Sequence, residues 1–387
     1  MTSETTSSPS VHADVLVVGG GIAGCAAAYN LAHAGADVLL VEQYDLNTQA
    51  SGRNAGSLHG QIQHEPFLHL GEDWARSFLP ALNMLADSLA LWDDLSTELG
   101  VDLEVSKHGG LLVAETDEQM AEIERKVAIE REAGLPVELL TRADLQTIAP
   151  YVSGAMVGAE YAPMEGKANP LLATPAYASA AERAGARIRT WTGVTHVEQS
   201  VEGFRVRTTT GEVTCRKLVC TAGANLPQLG AMLGLDLPIS SDPIQMNVTE
   251  PVAPLVKHLV YFAGEKLTLK QSLSGSLLIG GGWPARPDAH GKPIVNPDSL
   301  RSNLRVAKKV VPAVGRAQLL RTWVGVGNGT PDHRPIIGEI SSIPGFVIGM
   351  FPYMGLTAGP ILGRILTDIT LGREADRDLS VFAPDRF

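Results

Sequence analysis

The stretch Ala13-Asp-Val-Leu-Val-Val-Gly-Gly-Gly-Ile-Ala-Gly24 decides the fold of this chain. Residues 13–18 form a β-branched run that ends in glycines, which predicts a buried parallel strand. Residues 22–34 are rich in alanine and predict a helix packed on a sheet, which Gly35 ends. Residues 36–41 predict a second buried strand. The three elements form a βαβ unit whose first turn carries the glycines.

The glycines of this turn fit the pattern G-x-G-x-x-G, directly after a predicted strand and at the start of a predicted helix. Gly19 permits the tight turn, Gly21 lets a pyrophosphate approach the backbone, and Gly24 lets the helix pack closely on the strand. The helix begins with Ile22 and Ala23, and its N-terminus offers N–H groups and a positive dipole to phosphates. The turn therefore predicts a dinucleotide site.

Glu42 ends the second strand, where its carboxylate can accept hydrogen bonds from both hydroxyls of an adenosine ribose. A carboxylate there disfavours a 2′-phosphate, which argues against NADP. We also assign Gln43 to the cofactor. The loop that follows is built of small residues with one arginine, and it suits the ribityl chain and pyrophosphate of a flavin. Its assigned residues are Ser51, Arg53, Asn54, Ala55, Gly56 and Ser57.

Glycines gather again far along the chain. A predicted strand at 217–221 is followed by Ala222 and Gly223, and further glycines crowd residues 325–338 and 345–359. A cofactor that contacts both the early and the late segments is long and extended. This favours FAD over NAD.

Composition narrows the class of protein. The chain has 387 residues, a formal net charge of -11 and 44% hydrophobic residues, which indicates a large core and a poor binder of nucleic acid. Three separated cysteines give neither a disulfide framework nor zinc spacing, so we expect no metal and a cytoplasmic location. Residues 1–10 are polar and predict a tail rather than a signal peptide. Residues 346–369 contain too many glycines and prolines for a membrane span.

Other periodicities give a coarse map of the chain. Helices are predicted at 67–99, 117–133, 170–184, 300–311 and 355–371, and the charged run 122–132 is expected to be a solvated helix face. Strands are predicted at 109–114, 188–191, 194–199, 204–208 and 345–350, with mostly strand over 238–278. No long linker separates two halves, which indicates interleaved domains. We predict an FAD-binding domain from 13–100, 151–230 and 323–372, a substrate domain from 101–150 and 231–322, and tails at 1–12 and 373–387.

Five segments together carry a family resemblance. They are VVGGGIAG at 17–24 with Glu42, SGRNAG at 51–56, TAGAN at 221–225, TPDHRPIIG at 330–338, and GFVIG at 345–349 followed by MGLTAGP at 354–360. In this order they resemble the D-amino-acid-oxidase-like (DAO) superfamily of FAD-dependent amine oxidoreductases, near glycine and sarcosine oxidases and the β subunits of opine and hydroxyproline dehydrogenases.

The resemblance implies an α/β fold with a discontinuous Rossmann-like FAD-binding domain. It also implies a second, α+β substrate domain that contains a large, mostly antiparallel sheet. The backbone of Val194 is implied to meet the adenine. Gly355, Leu356 and Thr357 are implied to start a helix whose N–H groups point at the pyrimidine O2 of the flavin and stabilise negative charge on it.

Three departures from the family pattern bear on cofactor and substrate. No cysteine lies near Gly325, where monomeric sarcosine oxidase attaches FAD, so FAD is expected to be non-covalent. Gly327 stands where many relatives carry an arginine after W-x-G. Gln63 and Thr357 stand where sarcosine oxidase has its basic carboxylate ligands. Either a substrate carboxylate is held elsewhere, or the substrate is not a simple amino acid.

Three residues are candidates for the chemistry. His59 follows the flavin loop and is either near the reactive edge of the flavin or a structural histidine. Lys270 lies on a predicted strand and is either a residue that helps oxygen react, as the resemblance implies, or a solvated lysine. Tyr353 precedes the last predicted helix and either lines the substrate site or packs in the core. Arg334 is expected to form a structural ion pair.

The predicted function is oxidation of a C–N bond in a secondary amine, imino acid or N-substituted amino acid, by hydride transfer to flavin N5. Oxygen or another acceptor takes the electrons. One alternative is a 2-hydroxy acid or polyol-phosphate dehydrogenase with His59 as base. Another is the flavin subunit of a heteromeric dehydrogenase, so a homo- or hetero-oligomer is possible.

Overall fold

The computed structural model describes residues 11–387, so the tail predicted at residues 1–10 lies outside the described part. In chain order the strands are β1 (Val11–Val18), β2 (Val38–Val41), β3 (Ser57–Leu58), β4 (Gly110–Ala114), β5 (Glu138–Thr141), β6 (Gly158–Ala162), β7 (Gly166–Lys167), β8 (Arg187–Arg189), β9 (Val194–Ser200), β10 (Gly203–Thr208), β11 (Gly211–Cys220), β12 (Ser240–Pro251), β13 (Leu259–Phe262), β14 (Thr268–Gln271), β15 (Ser276–Gly280), β16 (Arg286–Pro287), β17 (Pro293–Ile294), β18 (Leu319–Gly329), β19 (Ile336–Glu339) and β20 (Phe346–Met350).

The helices follow the same order. They are α1 (Ile22–His33), α2 (Ala50–Arg53), α3 (His64–Leu99), α4 (Asp117–Glu132), α5 (Arg142–Ile148), α6 (Pro170–Arg183), α7 (Leu226–Ala231), α8 (Pro297–Val310) and α9 (Gly355–Thr370), with short 3₁₀ turns at Gly223–Asn225, Pro312–Arg316, Ser380–Phe382 and Pro384–Arg386. Across residues 11–387, no helix is both long and apolar enough to cross a bilayer.

The first of two compact units contains residues 11–52, Leu171–Ser240 and Asn328–Phe387. Its sheet runs β19-β20-β11-β1-β2-β8, and β10 and β9 extend it from β11. β1 is parallel to β2 and β11, and β11 is parallel to β20. All of β2 and the last four residues of β1 are buried, as expected for parallel strands covered on both faces.

Helices α1 and α9 of this unit pack closely because small residues line their contact. A Cβ on Gly359 would lie 2.7 Å from Cγ1 of Ile22, and one on Gly363 would lie 2.5 Å from Cβ of Ala26. Since Ile22 is the first residue of α1 and Gly359 lies in the first two turns of α9, the N-termini of the two helices lie close together. Two positive helix ends therefore meet at one side of the sheet.

The second unit contains Arg53–Pro170 and Ser241–Gly327. Its sheet runs β18-β12-β15-β14-β13-β4-β6-β5. β13 and β4 are parallel, while the pairs β13–β14, β14–β15, β4–β6 and β5–β6 are antiparallel. Helix α8 supplies buried apolar residues to the core of this unit, among them Val306 and Val310. The large, mostly antiparallel sheet matches the predicted α+β domain.

The structure corrects several predicted boundaries. Residues 53–100 and 151–170 belong to the compact unit with the antiparallel sheet, whereas the predicted FAD-binding domain included them. Helix α3 starts at His64, and Gly71 interrupts it with φ 80°. The pattern also missed β5, β6 and α5, although Thr141 and Asp144 form a capping box at the start of α5.

The predicted tail at 373–387 is wrong for its last residues. Phe382 is buried, and the guanidinium of Arg386 pairs with the carboxylate of Asp332 at 3.0 Å. An apolar side chain with a place in the core and a cation with a partner hold this segment on the first unit. The segment contributes to the fold of that unit.

Candidate active site

The glycine turn of the first unit has no room for side chains at two of its positions. Gly19 has φ 114°, and a Cβ there would lie 2.7 Å from the carbonyl oxygen of Thr221. A Cβ on Gly24 would lie 1.9 Å from the carbonyl oxygen of Gly19. At Gly21 the neighbour is a side chain, because a Cβ there would lie 2.9 Å from Oγ of Ser51. Glycine is therefore needed for the turn and for helix packing at Gly19 and Gly24.

Ser51 takes up one of the N–H groups at the start of α1. The N–H of Ile22 donates to its Oγ at 3.0 Å. Two residues assigned to the cofactor, Ile22 and Ser51, therefore lie in contact at this helix end. The N-cap residue of α1 is Gly21, which has no side chain to cap the helix. The first turn, which contains Ala23, has no acidic residue. No acidic side chain of the helix itself opposes an anion at this end.

Glu42, Gln43 and Val194 lie together in the first unit. Backbone N–H groups orient the Glu42 carboxylate, with Gly20 donating to Oε2 at 2.7 Å and Tyr44 donating to Oε1 at 2.9 Å. The N–H of Thr192 donates to the carbonyl oxygen of Glu42 at 2.7 Å, which brings the start of β9 beside it. A carboxylate fixed beside the glycine turn fits a ribose that carries two hydroxyls.

The start of α9 lies beside the end of β11. Gly223 has φ 55°, and a Cβ there would lie 3.0 Å from Nδ2 of Asn328. Asn328 in turn accepts the N–H of Tyr353 on its carbonyl oxygen at 3.1 Å, just before Gly355 opens the helix. Helix α9 has neither a side-chain cap nor an acidic residue in its first turn. Of the residues assigned there, Leu356 and Thr357 are buried, Ala222 is partly buried, and nothing lies within 4 Å of a Cβ placed on Gly355.

Tyr353 is exposed and held in an uncommon backbone conformation. It is 41% exposed and has φ 58°, and its ring centroid lies 6.0 Å from that of His333, which has φ 56°. The alternative that Tyr353 packs in the core is therefore wrong. Backbone strain at neighbouring non-glycine residues is typical of functional loops.

The flavin loop continues in the second unit. The Asn54 side chain accepts the N–H of Gly56 at 2.8 Å, and Gly56 has φ 77° with no room for a Cβ, which would lie 2.1 Å from the carbonyl oxygen of Ala168. Trp323 Nε1 donates to the carbonyl oxygen of Arg53 at 2.8 Å, so this arginine lies beside β18. Ala55 and Ser57 are buried. The loop is firmly held from Arg53 to Ser57.

Lys270 of β14 is buried, which excludes the alternative of a solvated lysine. Its side chain is 1% exposed, and its Nζ donates to Oγ of Ser57 at 2.5 Å. Burial, with a smaller contribution from the charge of Lys167, lowers the pKa of Lys270 to about 7. The ammonium therefore exchanges a proton near neutral pH.

His59 is half-buried and neutral at neutral pH. Its Nδ1 lies 2.7 Å from the hydroxyl of Tyr261, a residue that the sequence pattern did not single out. Burial, with a smaller contribution from Lys270, lowers the pKa of His59 to about 3. A neutral imidazole can accept a hydrogen bond at one ring nitrogen and donate at the other.

A group of buried ionisable residues lies beyond Tyr261, and the sequence pattern missed it. Lys126 and Glu130 of α4 are fully buried, although the run 122–132 was expected to be a solvated face. Nζ of Lys126 lies 2.7 Å from Oε1 of Glu130 and 2.7 Å from Oε2 of Glu160. The two carboxylates outweigh the effect of burial and raise the pKa of Lys126. Helix α4 therefore contributes a buried ion pair to the interior of the unit. The i,i+4 spacing of Lys126 and Glu130 in the sequence did not indicate that this pair is buried.

The remaining candidates have simpler surroundings. All three cysteines are buried, and burial raises the thiol pKa of Cys25, Cys215 and Cys220 to about 12, so they are unreactive. Arg334 forms the expected ion pair, with its Nη2 2.9 Å from Asp332. Gln63 is the N-cap residue of α3.

The family is decided by a match over most of the chain. The family model described as "DAO: FAD dependent oxidoreductase" matches residues 14–369. The chain belongs to this family of FAD-dependent oxidoreductases. This DAO-family chain is 27% identical to glycine oxidase of Geobacillus kaustophilus over 96% of its own length and 97% of that protein. It is also 27% identical to one of the subunits of opine oxidase from Rhizobium meliloti, over 97% of each chain.

Solved structures agree with this assignment. The structure of L-proline dehydrogenase from P. horikoshii has a TM-score of 0.87 and 25% identity, and 98% of each chain is covered. The structure of the Geobacillus kaustophilus glycine oxidase has a TM-score of 0.82 and 26% identity, covering 98% of this chain and 100% of that one. The predicted superfamily, the α/β fold class and the FAD cofactor are thereby confirmed.

The described residues of the first unit fit an extended dinucleotide. Gly19 and Gly24 allow the tight turn and the close packing of α1, and the Glu42 carboxylate is fixed next to the turn. Two helix N-termini without acidic residues meet beside the sheet, at α1 and α9. When bound, FAD supplies the hydride acceptor of the reaction. The protein supplies the positions and charges around it.

Proposed function

We propose that this oxidoreductase oxidises a C–N bond of a secondary amine, imino acid or N-substituted amino acid by hydride transfer to flavin N5. The observation that carries the proposal is the chemistry shared by the relatives that align over nearly the whole chain. Glycine oxidase, opine oxidase and L-proline dehydrogenase all act, by their names, on substrates with an amine nitrogen beside the oxidised carbon. The product of such a reaction is an imine that water hydrolyses.

The first unit is proposed to hold FAD without a covalent bond. Gly21 is proposed to admit the pyrophosphate, Gly19 and Gly24 shape the turn, and Glu42 is proposed to bind the adenosine ribose. The helix N-terminus at α9 favours negative charge on the pyrimidine side of the flavin. The burial of the three cysteines supports non-covalent binding, because a thiol with a raised pKa is a weak nucleophile.

The second unit is proposed to contribute His59 and Lys270 to the reaction. Neutral His59 can hold the nitrogen of the substrate through a hydrogen bond. Lys270 has its pKa lowered to about 7, so a fraction of its ammonium groups is charged at neutral pH. A positive charge there favours electron transfer to oxygen.

The substrate is proposed to be bulkier than a simple amino acid. Gln63, Gly327 and Thr357 offer no cation at the positions where relatives place carboxylate ligands. Arg and Lys bind carboxylates most strongly, so their absence weakens the usual anchor. Glycine at 327 leaves room beside β18 for a larger group on the nitrogen or the side chain.

A second candidate function is the flavin subunit of a heteromeric dehydrogenase. Two relatives from Rhizobium meliloti that match nearly the whole chain are, by their names, single subunits of larger enzymes, one of opine oxidase and the other the beta chain of sarcosine oxidase. Co-purification from the native host, followed by gel filtration, tests this candidate. A single chain that turns over substrate alone would rule out any need for a partner protein.

Anaerobic reduction of the bound flavin tests the main proposal. The purified, flavin-loaded protein is mixed with a panel of primary, secondary and tertiary amines, N-alkyl amino acids, imino acids and 2-hydroxy acids. Bleaching of the visible flavin band by an amine class is expected. Rapid recovery in air then indicates an oxidase, and slow recovery a dehydrogenase with another acceptor. Bleaching by hydroxy acids alone would contradict C–N oxidation.

A further inference from the structure

Asn328 carries an oxygen atom that the fold of the first unit buries without a hydrogen bond. Its side-chain Oδ1 is buried, and no donor of residues 11–387 forms a hydrogen bond with it. Most buried polar atoms in native proteins have a partner, because an acceptor that is removed from water without one lowers the stability of the fold. The surroundings of Asn328 indicate which donor this oxygen meets.

Asn328 contacts two segments of the first unit. Its backbone carbonyl oxygen accepts the N–H of Tyr353 at 3.1 Å, two residues before α9 begins at Gly355. Its side chain approaches a second segment, since a Cβ on Gly223 would lie 3.0 Å from Nδ2 of Asn328. The side-chain amide therefore lies beside the turn that follows β11 and close to the start of α9.

The strand order of the sheet places these two segments along one edge. Strands β2, β1, β11 and β20 are parallel neighbours in this order, so their carboxyl ends lie on the same edge of the sheet. The pairing register puts four residues near these ends in one row: Val41, Val18, Cys220 and Ile348. Ligands of open parallel sheets bind outside the carboxyl ends of the strands.

FAD is a linear series of groups in the order adenosine, pyrophosphate, ribityl chain and flavin. Glu42 follows β2, and its carboxylate is fixed beside the glycine turn that follows β1. With the adenosine at Glu42 and the pyrophosphate at Gly21, the rest of the molecule is expected to continue toward the ends of β11 and β20. The flavin is then expected near Gly223 and Gly355, where Asn328 lies.

The chemistry of the flavin matches the groups at this end of the edge. The pyrimidine edge of an oxidised flavin presents two carbonyl oxygens with the N3–H group between them. A helix N-terminus supplies donors to a carbonyl oxygen, and α9 has neither a side-chain cap nor an acidic residue in its first turn. The N3–H group needs an acceptor beside those donors, and a side-chain amide oxygen is such an acceptor.

We propose that Asn328 binds the flavin of FAD, with its Oδ1 accepting a hydrogen bond from flavin N3–H. This contact selects a coenzyme that carries a hydrogen on N3. The inference rests on the cofactor placement proposed above, and it does not depend on which substrate the enzyme oxidises.

Competition between FAD and 3-methyl-FAD for the full-length holoenzyme tests the contact without any substrate. A methyl group on N3 removes the donor that Asn328 is proposed to bind. After equilibrium dialysis against both coenzymes, chromatography of the released flavins gives the ratio of their dissociation constants. For the unaltered protein we expect FAD to bind at least about tenfold more tightly, as the loss of one buried hydrogen bond implies. Equal binding of the two coenzymes would overturn the proposal whether or not any variant folds.

Asn328→Ala is the test variant, and Asn30→Ala is its matched control. The amide of Asn30 donates to the carbonyl oxygen of Ala26 within α1 at 2.8 Å, so it has a partner in the fold. In Asn328→Ala we expect FAD to bind about tenfold more weakly and the preference over 3-methyl-FAD to fall below about twofold. Asn30→Ala should keep the preference of the unaltered protein. A full preference in Asn328→Ala would assign N3–H to another acceptor and overturn the proposal.

Nuclear magnetic resonance of holoenzyme loaded with FAD that carries ¹⁵N at N3 gives a second readout. The N3 signal is expected to shift in Asn328→Ala and to stay unchanged in Asn30→Ala, because only the first variant removes the acceptor. Weaker binding of FAD to Asn328→Ala with an unchanged N3 signal would mean that Oδ1 meets another group, such as a ribityl hydroxyl, and would contradict the proposal. If no amine reduces the flavin, the proposed C–N oxidation fails, and the outcome of these two measurements stands.

Discussion

Tyr261 with His59 and Tyr151 with His258 are two pairs of almost the same geometry. The hydroxyl-to-Nδ1 distance is 2.7 Å in both, and the ring centroids are 5.8 Å and 6.1 Å apart. They differ in what else surrounds the phenol oxygen. Burial and the charge of the Glu165 carboxylate raise the pKa of Tyr261, whereas the hydroxyl of Tyr151 accepts the backbone N–H of His258 at 3.2 Å.

The comparison teaches that two tyrosine–histidine pairs of one geometry can have different electrostatic surroundings. Burial and the charge of Lys270 lower the pKa of His59, whereas burial and the charges of Lys257, His108 and Lys167 lower the pKa of His258. The solvent exposure of the two histidine rings also differs between the pairs. His258 is 4% exposed, which suits a structural ring, while the half-buried ring of His59 can meet a small molecule.

The largest difference between the pairs is expected in catalysis. In His59→Asn we expect kcat/KM to fall by about a hundredfold or more, since a positioned polar side chain typically contributes that much. In His258→Asn we expect kcat/KM to stay within about twofold of the original. Anaerobic flavin reduction with the best amine measures both. Similar losses in the two variants would remove the functional distinction between the pairs.

Filling the space beside Glu165 is expected to have the next largest effect. Gly110→Ala places a methyl group where the carboxylate lies, so the free energy of unfolding should fall by about 2 kcal/mol. Urea denaturation of the flavin-loaded protein measures this loss. An unchanged free energy of unfolding would show that the carboxylate can move away from the added methyl group.

Removal of the Tyr151 hydroxyl is expected to affect stability alone. Tyr151→Phe leaves the N–H of His258 without its acceptor near a buried ring, which should lower the free energy of unfolding by about 1–2 kcal/mol. Amine oxidation should remain within twofold. Thermal unfolding with bound flavin measures the first effect. A loss of turnover at constant stability would contradict the structural role of this pair.

The smallest effect is expected in the pH dependence of stability. Burial, then the charges of Lys257, His108 and Lys167, lower the pKa of His258 to about 4. Well above pH 6.5 both folded and unfolded rings are neutral, and as pH falls toward 4 the unfolded ring takes a proton far more readily than the folded one. The folded state therefore loses stability over this range, by about 1–2 kcal/mol between pH 6.5 and 5.

His258→Asn has no ring to protonate and should lose about that much less than the unaltered protein between the same two pH values. Urea denaturation at pH 6.5 and 5 compares the two proteins. His59 titrates equally in both, so its contribution cancels in the difference. Identical pH dependence would mean that the folded His258 ring takes up its proton at an ordinary pH.

The first unit was predictable to a large extent, because its signals are local. The strand, turn and helix of residues 13–41 are adjacent in sequence, and Gly19, Gly24 and Glu42 have roles that short-range geometry dictates. The family resemblance added the late segments of the chain to the predicted cofactor site, and the glycines of the last segment lie in α9. The DAO-family assignment and the FAD cofactor both follow from these segments.

The polar interior of the second unit was not predictable in this way. Tyr261 of β13 meets His59 across a sequence separation of 202 residues, and Glu165 meets Gly60 across 105. No periodic pattern encodes such contacts. The Lys126–Glu130 pair has the spacing of a surface ion pair, and it is buried because α4 packs against α3 and β6. Tertiary contacts determine both the pairing of these distant residues and the burial of the Lys126–Glu130 pair.

The contact between α1 and α9 has a consequence for how the enzyme is made. Gly359 and Gly363 pack on Ile22 and Ala26, so the early helix lacks this partner until α9 has been synthesised. Contacts of such long range form late, after the entropy of closing a very long loop has been overcome. The two helix ends of the coenzyme site therefore come together only after α9 has formed. A nascent chain stalled before Gly355 carries the nucleotide turn but lacks the helix that meets it.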